Sequence, residues 1–193
     1  GTRLAQLAPE FPQEHLKEWA AAKMVGRWRN GTSLVRYPKP PGPDDAPDND
    51  FMYGLEDPDG VSCPFGSHVR RANPRDSFDP NAPRPLEVTN RHRILRVGRR
   101  YADKKSRGLM FMCLNADIER QFEFIQQTWL QARSFFGLAD EADPVISRRV
   151  AEGDAALANP PEHTILTIPT ELGPVALKGF TDFVRVHGSG YFF

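Results

Sequence analysis

The strongest periodic pattern of apolar residues lies between residues 115 and 130. Four apolar side chains recur at intervals of four, three and four residues and would share one face of a helix: Ile118, Phe122, Ile125 and Trp129. Asn115 and Asp117 stand just before this pattern, and both side chains are favourable helix N-caps. The spacing therefore predicts a helix that begins near Asn115 or Asp117 and packs its apolar face into the core.

Weaker patterns predict one more helix and several strands. Residues 15–28 keep a helical spacing of apolar side chains and are rich in alanine, so they predict a helix closed by glycine. Strands are predicted in the centre of residues 87–101, ending at Gly98, and over residues 109–114 and 163–168. Residues 182–186 and 191–193 flank His187-Gly-Ser-Gly, which is a hairpin signal. This order of elements predicts an α+β fold in which an antiparallel sheet carries helices on one face.

The length and charge of the chain restrict its class. Its 193 residues are enough for one domain with a core, and 25 acidic residues balance 25 basic ones, which argues against a nucleic-acid partner. No apolar run reaches the length of a membrane span and the first residues lack the apolar segment of a signal peptide, so we expect no membrane partner and favour the cytoplasm. Both ends look cut, at Gly1 and inside the predicted strand 191–193.

Two local features of composition change this picture little. Residues 37–50 contain five prolines and four aspartates, so they predict an exposed loop that buries little apolar surface. Cys63 and Cys113 are the only cysteines, and two cysteines do not indicate a disulfide framework.

One stretch concentrates the residues that carry chemistry: Cys63-Pro-Phe-Gly-Ser-His68-Val-Arg-Arg-Ala-Asn-Pro-Arg75. Small residues precede His68 and would let a flat group approach the imidazole closely. The three arginines of the stretch can hold acidic groups by bidentate hydrogen bonds. These features suggest a haem, with its iron on His68 and its propionates against arginine. The alternative, which residue types alone favour, is a basic surface loop with a solvated histidine.

The same stretch resembles the haem-ligand segment of the dye-decolorizing peroxidases, in which a Cys-Pro…His-[Ile/Val]-Arg-[Arg/Lys]-x-Asn-Pro-Arg run carries the proximal histidine. Two further stretches resemble that family in the same order. They are Arg93-Ile-Leu-Arg96-Val-Gly98 with Tyr101, and the run that begins Arg107-Gly-Leu-Met-Phe-Met-Cys113 and ends at Gln126.

The resemblance implies a haem b peroxidase that uses hydrogen peroxide to oxidise dyes, phenols and other small aromatic reductants. It also implies a fold of two ferredoxin-like α+β halves, of the dimeric α+β barrel type, that clasp one haem. Residues 1–193 would form the C-terminal, second half of that fold. Either the missing N-terminal half or a second chain would then be a partner.

The resemblance also implies roles for residues on the proximal side. His68 would ligate the iron, and Asp182 would hold the other ring nitrogen and raise the basicity of the ligand. Taken alone, Asp182 is equally well interpreted as a solvent-exposed aspartate at the edge of a strand. Arg71 and Arg75 would contact the propionates, and Arg75 is favoured because Asn-Pro fixes the backbone before it.

On the distal side the resemblance points to Arg96. A fixed guanidinium there would stabilise the negative charge on the oxygen that leaves during peroxide cleavage. Only the motif distinguishes Arg96, because other arginines surround it. Leu109 and Phe111 would cover the distal face of the haem, or serve as ordinary core residues, or both.

One motif of the family is absent from these residues. The family's acid–base aspartate lies in a Gly-x-x-Asp-Gly motif well before the proximal histidine, and the nearest string here, Glu56-Asp-Pro-Asp59-Gly60, lacks the leading glycine and lies too close to His68. The chain is therefore a C-terminal piece of a longer enzyme, a piece that a partner completes, or a degenerate relative that acts as a non-catalytic haem-binding module or inactive fragment. We expect little or no peroxidase activity from the chain alone.

Overall fold

The computed structural model describes residues 15–42, 44–103, 106–147, 165–170, 173–179 and 183–192. Within these residues four helices come first: α1 (Leu16–Val25), α2 (Tyr53–Glu56), α3 (His68–Ala72) and α4 (Glu87–Asn90). Two strands follow, β1 (Leu95–Ala102) and β2 (Arg107–Leu114), then π-helical segments at Glu119–Glu123 and Ile125–Leu130 and a 3-10 turn at Phe135–Gly137. The last elements are β3 (Ile165–Ile168) and β4 (Val175–Lys178). No helix in this described part combines the length and apolar character needed to cross a membrane.

Helix α1 supplies one side of the main core, and it is shorter than the predicted helix over residues 15–28. Its buried side chains are Leu16, Trp19, Ala22, Lys23 and Met24. The helix ends at Gly26, whose φ of +94° is a left-handed conformation that favours glycine. A Cβ at Gly26 would also lie 3.2 Å from Val69 Cβ and 3.3 Å from Cys63 Sγ. The end of α1 therefore packs directly against the stretch that contains His68.

The proline-rich loop over residues 37–50 has no helix or strand in its described part, and most of its residues are exposed. It is nevertheless attached to the end of α1. Arg27 donates hydrogen bonds to the carbonyl oxygen of Asp48 (3.4 Å) and to Oδ1 of Asn49 (2.6 Å). These contacts give the loop a defined path beside the core.

Strands β1 and β2 form an antiparallel hairpin along their full lengths, with Arg96 opposite Cys113 and Gly98 opposite Phe111. The prediction that the first strand ends at Gly98 is wrong, because Gly98 lies inside the paired region. Its missing side chain makes room for Leu109, whose Cδ1 would lie only 3.1 Å from a Cβ at position 98. Apart from half-buried Gly108 and Cys113, both strands are exposed.

The helix predicted from the spacing of Ile118 to Trp129 is present, but it is wound as π-helix. The N–H of Glu123 donates to the carbonyl oxygen of Ile118 over 3.0 Å, five residues back instead of the four of an α-helix. Ile125 and Trp129 of the predicted apolar face are buried in a second core. Residues packed in or against that core include Leu130, Phe135, Ala72, Ile94 and Phe124.

The C-terminal strands differ most from the sequence prediction. Strand β3 lies within the predicted strand 163–168, of which residues 163 and 164 are outside the described part. Its antiparallel partner β4 was not predicted. Residues 183–192 form no strand, so the hairpin predicted around His187 is not present there, and residues 182 and 193 lie outside the described part. The described strands thus form two separate two-stranded sheets.

Candidate functional site

His68 is the first residue of α3, and the residues before it hold it against the end of α1. Ser67 is buried, and its Oγ donates to the carbonyl oxygen of Lys23 over 2.5 Å. Gly66 packs against β3, because a Cβ there would lie 2.8 Å from Leu166 Cδ1. The small residues before His68 are therefore required for packing inside the protein. That they also let a flat group approach the imidazole stays a prediction.

The imidazole of His68 is paired with a buried carboxylate from a distant part of the chain. Its Nδ1 lies 2.9 Å from Oδ2 of Asp143, whose side chain is fully buried, whereas 29% of the His68 side chain is exposed. The other carboxylate oxygen, Oδ1, accepts hydrogen bonds from the N–H groups of Val145 (2.9 Å) and Ile146 (2.8 Å). The N–H of Asp143 donates to the carbonyl oxygen of Leu130 (2.9 Å), so the backbone of this residue is fixed as well.

This pairing determines which imidazole nitrogen is free. A carboxylate only accepts hydrogen bonds, as Oδ1 of Asp143 does from two backbone N–H groups. Nδ1 of His68 therefore carries the proton, and the lone pair of the neutral ring lies on Nε2. A carboxylate on one ring nitrogen orients the imidazole and raises the basicity of the other nitrogen. His68 thus presents the lone pair of Nε2, and its role as an iron ligand stays a prediction.

The described carboxylate at Nδ1 of His68 is that of Asp143, whereas the sequence prediction named Asp182. Asp182 lies outside the described residues. The sequence does contain a local signal for Asp143, because it precedes Pro144, and aspartate before proline favours a turn. That signal explains the two hydrogen bonds to the following N–H groups. It does not identify a histidine that lies 75 residues away.

Arg71, which was predicted to contact a propionate, makes its hydrogen bonds inside the protein. Its side chain is fully buried and donates hydrogen bonds to three backbone carbonyl oxygens, those of Trp129 (2.8 Å), Ala132 (2.9 Å) and Glu141 (2.6 Å). Burial lowers the pKa of Arg71 to about 10, while the nearby charges of Asp143 and Glu141 act in the opposite direction. The guanidinium is therefore still charged at neutral pH, and it is bound to the protein's own backbone.

Arg75 is half-buried and partly engaged. Its Nη1 donates to the carbonyl oxygens of Asn49 (2.8 Å) and Phe51 (2.9 Å), and its Cζ lies 3.8 Å from the centre of the Phe51 ring. Burial lowers the pKa of Arg75. Its φ of +53° is unusual for a residue with a side chain. A contact with a propionate remains a prediction for this residue.

Arg70, which the sequence pattern did not distinguish, is a structural residue of the same stretch. Its guanidinium is buried between the rings of Tyr53 and Phe65, at 4.7 and 4.3 Å from their centres. Nη1 lies 3.0 Å from Oδ2 of Asp57 and donates to the carbonyl oxygen of Cys63 over 2.7 Å. The charge is paired and hydrogen-bonded inside the protein, so Arg70 attaches α3 to Asp57 and Cys63, and no contact with His68 or Asp143 is among its described bonds.

The three residues predicted for the distal side lie together on one face of the β1–β2 hairpin. Side chains alternate between faces along a strand, and residues directly opposite in an antiparallel pair share a face. Gly98 and Phe111 are paired, so Arg96 lies on the face that carries Phe111 and Leu109. This face puts one cation beside two apolar side chains. The roles of these residues in catalysis stay predictions.

The helical stretch after β2 contacts both groups of site residues. The ring of Phe122 lies 6.2 Å from that of Phe111 in the hairpin. At the other end, the carbonyl oxygen of Trp129 accepts the hydrogen bond from Arg71 in α3. The hairpin face and the His68 helix are therefore attached to the same π-helical stretch.

Comparison with known proteins gives one consistent result, although no protein-family model matches the chain. The sequence is 33% identical over 155 residues to the multifunctional dye peroxidase DyP2 of Amycolatopsis sp., covering 72% of this chain and 32% of that protein. It is 31% identical over 228 residues to peroxidase 2 of Mycetinis scorodonius, covering 99% of this chain and 43% of that protein. The chain spans less than half the length of these curated relatives.

Comparison of structures agrees with this result. The fold is similar to the crystal structure of a DyP-type peroxidase from Anabaena sp., with a TM-score of 0.68 and 25% sequence identity. The match covers 90% of this chain and 36% of that one. The predicted α+β, ferredoxin-like fold class is thereby confirmed.

Proposed function

The chain belongs to the dye-decolorizing peroxidase family, and from this we propose that it forms the C-terminal, haem-ligand part of a peroxidase. The observation that carries the proposal is the His68–Asp143 pair, with Nδ1 held at 2.9 Å and the imidazole partly exposed. Nε2 would bind the iron of haem b, because a neutral imidazole with a carboxylate on its other nitrogen is a basic, oriented iron ligand. Hydrogen peroxide is the proposed oxidant, and dyes, phenols and other small aromatic compounds are the proposed reductants.

The described residues fit this cofactor on chemical grounds. His68 offers one free ring nitrogen, and Arg75 is a half-buried cation at the end of the same stretch. The guanidinium of Arg71 is buried and bound to backbone carbonyls, so the proposal assigns the propionate contact to Arg75. When bound, haem iron would supply the redox chemistry that cleaves the peroxide O–O bond.

The residues of the hairpin face would act on the peroxide side. Arg96 would stabilise the negative charge that develops on the leaving oxygen, without transferring a proton. Leu109 and Phe111 would exclude water, which strengthens the electrostatic effect of the guanidinium. Asp143 would keep the proton on Nδ1 of His68 and so keep Nε2 available to the iron.

A second candidate function is a non-catalytic haem-binding module. The observation that favours it is the absence of a Gly-x-x-Asp-Gly string from these 193 residues. Peroxide cleavage needs a group that moves a proton within hydrogen-bond reach of the peroxide, directly or through one water. We propose that an upstream segment or a partner chain supplies that carboxylate to the peroxidase.

Haem reconstitution separates the two candidates. The chain is loaded with haem, alone and together with a segment of a family member that carries Gly-x-x-Asp-Gly, and peroxide-dependent oxidation of a phenol is measured at matched haem occupancy and pH. We expect haem binding in both samples and turnover only in the supplemented one. Haem binding without turnover in either sample would favour the non-catalytic module. Comparable turnover by the chain alone would show that the carboxylate is dispensable.

A further inference from the structure

Arg71 connects the helix that carries His68 to the segment that carries Asp143. Arg71 follows His68 by three residues in α3, so the two side chains project from neighbouring positions on the helix surface. Its guanidinium binds three carbonyl oxygens that all belong to the second segment, those of Trp129, Ala132 and Glu141. Glu141 is only two residues before Asp143, so the last of these bonds lies next to the carboxylate that meets His68.

The backbone groups that Arg71 binds need a donor. Trp129 lies at the end of the π-helical segment Ile125–Leu130, where carbonyl oxygens lose their partners within the helix. The planar guanidinium presents several N–H groups in a rigid fork, which suits the simultaneous binding of separate acceptors. The ring of Phe135, inside the same segment, lies 5.0 Å from the Arg71 Cζ atom. Arg71 thus holds both ends of residues 129–141 from one position on α3.

The turn that follows is fixed by further buried contacts. The carboxylate of Glu141 accepts hydrogen bonds from the N–H (2.9 Å) and the hydroxyl of Thr167 in β3. Asp143 is held by its own N–H bond to Leu130 and by the two N–H groups after Pro144. Each of these contacts fixes Asp143 relative to its own segment or to β3. The hydrogen bonds of Arg71 fix it relative to the helix of His68.

We propose that Arg71 is a positioning residue for His68: by binding three carbonyl oxygens of residues 129–141, it keeps Asp143 against Nδ1 and leaves Nε2 as the free nitrogen. Arg71 does not touch the cofactor in this role. The consequence for haem rests on the proposed function, since it requires that Nε2 binds iron. The positioning of the imidazole does not rest on the proposed function, because it is a property of the chain without haem.

Two substitutions of Arg71 separate the effect of its hydrogen-bond geometry from the effect of its charge. Arg71→Lys keeps the positive charge, but an ammonium group is a single point that cannot reproduce a fork of donors to three carbonyls. Arg71→Met removes both the charge and the donors. The matched control is Arg70→Lys, which perturbs a buried arginine of the same helix whose contacts are to Asp57 and Cys63. Because all three variants disturb α3, the control accounts for general destabilisation.

The decisive measurement is the tautomer of His68 in the full chain without haem, read from the 15N shifts of ring-labelled histidine. We expect the wild type and Arg70→Lys to show the proton on Nδ1 only. Folded Arg71→Lys, and Arg71→Met if it folds, should show a mixture of both tautomers. A single Nδ1–H tautomer in folded Arg71→Lys would overturn the proposal, whatever the outcome for Arg71→Met.

Haem titration supplies the second readout. Haem affinity should fall about 10-fold or more in Arg71→Lys and stay near the wild-type value in Arg70→Lys. An equal fall in both variants would show a structural effect and contradict the positioning role. If the wild-type chain binds no haem, the proposed function fails, while the tautomer measurement still decides the role of Arg71.

Discussion

Replacing Asp143 by asparagine keeps the size of the side chain, but asparagine cannot accept all the hydrogen bonds that the carboxylate accepts. The carboxylate accepts from Nδ1 of His68 (2.9 Å) and from the N–H groups of Val145 (2.9 Å) and Ile146 (2.8 Å). Asparagine has one acceptor oxygen and one donor group. If its oxygen keeps the two backbone N–H groups, its NH2 group faces His68 and moves the imidazole proton to Nε2. If the side-chain amide is flipped instead, its oxygen accepts from His68 and its NH2 group faces the two backbone N–H donors.

Both arrangements carry a cost that can be measured. A proton on Nε2 removes the lone pair that would bind iron, so haem affinity should fall about 10- to 100-fold in Asp143→Asn. Unsatisfied buried donors should lower the free energy of unfolding by roughly 1–3 kcal/mol. The two effects can be separated, because the loss of haem affinity depends on the His68 imidazole and the loss of stability does not.

Asp76 provides the matched control. It is fully buried, and its carboxylate accepts hydrogen bonds from the N–H groups of Gly54 (2.9 Å) and Leu55 (3.1 Å). Asp76→Asn should therefore lose a similar amount of stability while its haem affinity stays near the wild-type value. The assay is a haem titration followed by Soret absorbance, with stability measured by urea unfolding. Unchanged haem affinity in folded Asp143→Asn, or an equal loss in Asp76→Asn, would refute the reasoning.

Three further substitutions test other parts of the site and the fold. Arg96→Leu should retain haem but slow the reaction of the reconstituted protein with peroxide by about two to three orders of magnitude, as seen by stopped-flow absorbance; an unchanged rate would remove Arg96 from peroxide cleavage. Burial raises the pKa of the Cys63 thiol above 9.0, so above pH 9 the unfolded chain releases a proton that the folded chain keeps. The free energy of unfolding should then fall as the pH rises above 9, by up to about 1.4 kcal/mol per pH unit. The decline should be smaller in Cys63→Ala, in which buried Tyr53, whose pKa is also raised, still keeps a proton that the unfolded chain loses. Arg70→Met leaves Asp57 buried without its partner and should lower the free energy of unfolding by roughly 3–5 kcal/mol; a loss below about 1 kcal/mol in urea unfolding would contradict that role.

The elements that the sequence predicted well are those set by local pattern. The apolar spacing from Ile118 to Trp129 indicated a helix, and the face with Ile125 and Trp129 is the one that is buried. The run from residue 109 to residue 114 gave β2 almost to its ends. Both depend on side chains that are close in sequence, so periodicity is sufficient to find them.

The proximal partner of His68 depends on tertiary structure, which periodicity does not report. Asp143 lies 75 residues from His68, and the packing of α3 on the π-helical segment helps to bring them together. The hydrogen bonds of Arg71 to the backbone were not predictable for a related reason. A guanidinium can donate to backbone carbonyl oxygens as well as to acidic groups, and the sequence does not show which acceptor will be near.

Strand β4 and the region after it were missed because their patterns are weak. Val175–Lys178 is only four residues long, which is too short to show a clear alternation of apolar and polar residues. Its strand conformation depends on pairing with β3. The Gly-Ser-Gly sequence after His187 predicted a hairpin, but the described residues 183–192 form no strand. A turn signal specifies a hairpin only where flanking residues have a surface to pack against.

Whether His68 holds the iron can be decided by titrating haem into His68→Ala and His92→Ala side by side. His92 is the matched control, because it is half-buried and its Nδ1 also meets an oxygen acceptor, the carbonyl of Arg120 at 2.6 Å. We predict that His68→Ala loses the Soret band of the haem-loaded chain, that added imidazole restores it, and that His92→Ala binds haem like the wild type. An unchanged Soret band and haem content in His68→Ala would contradict the assignment of His68 as the iron ligand.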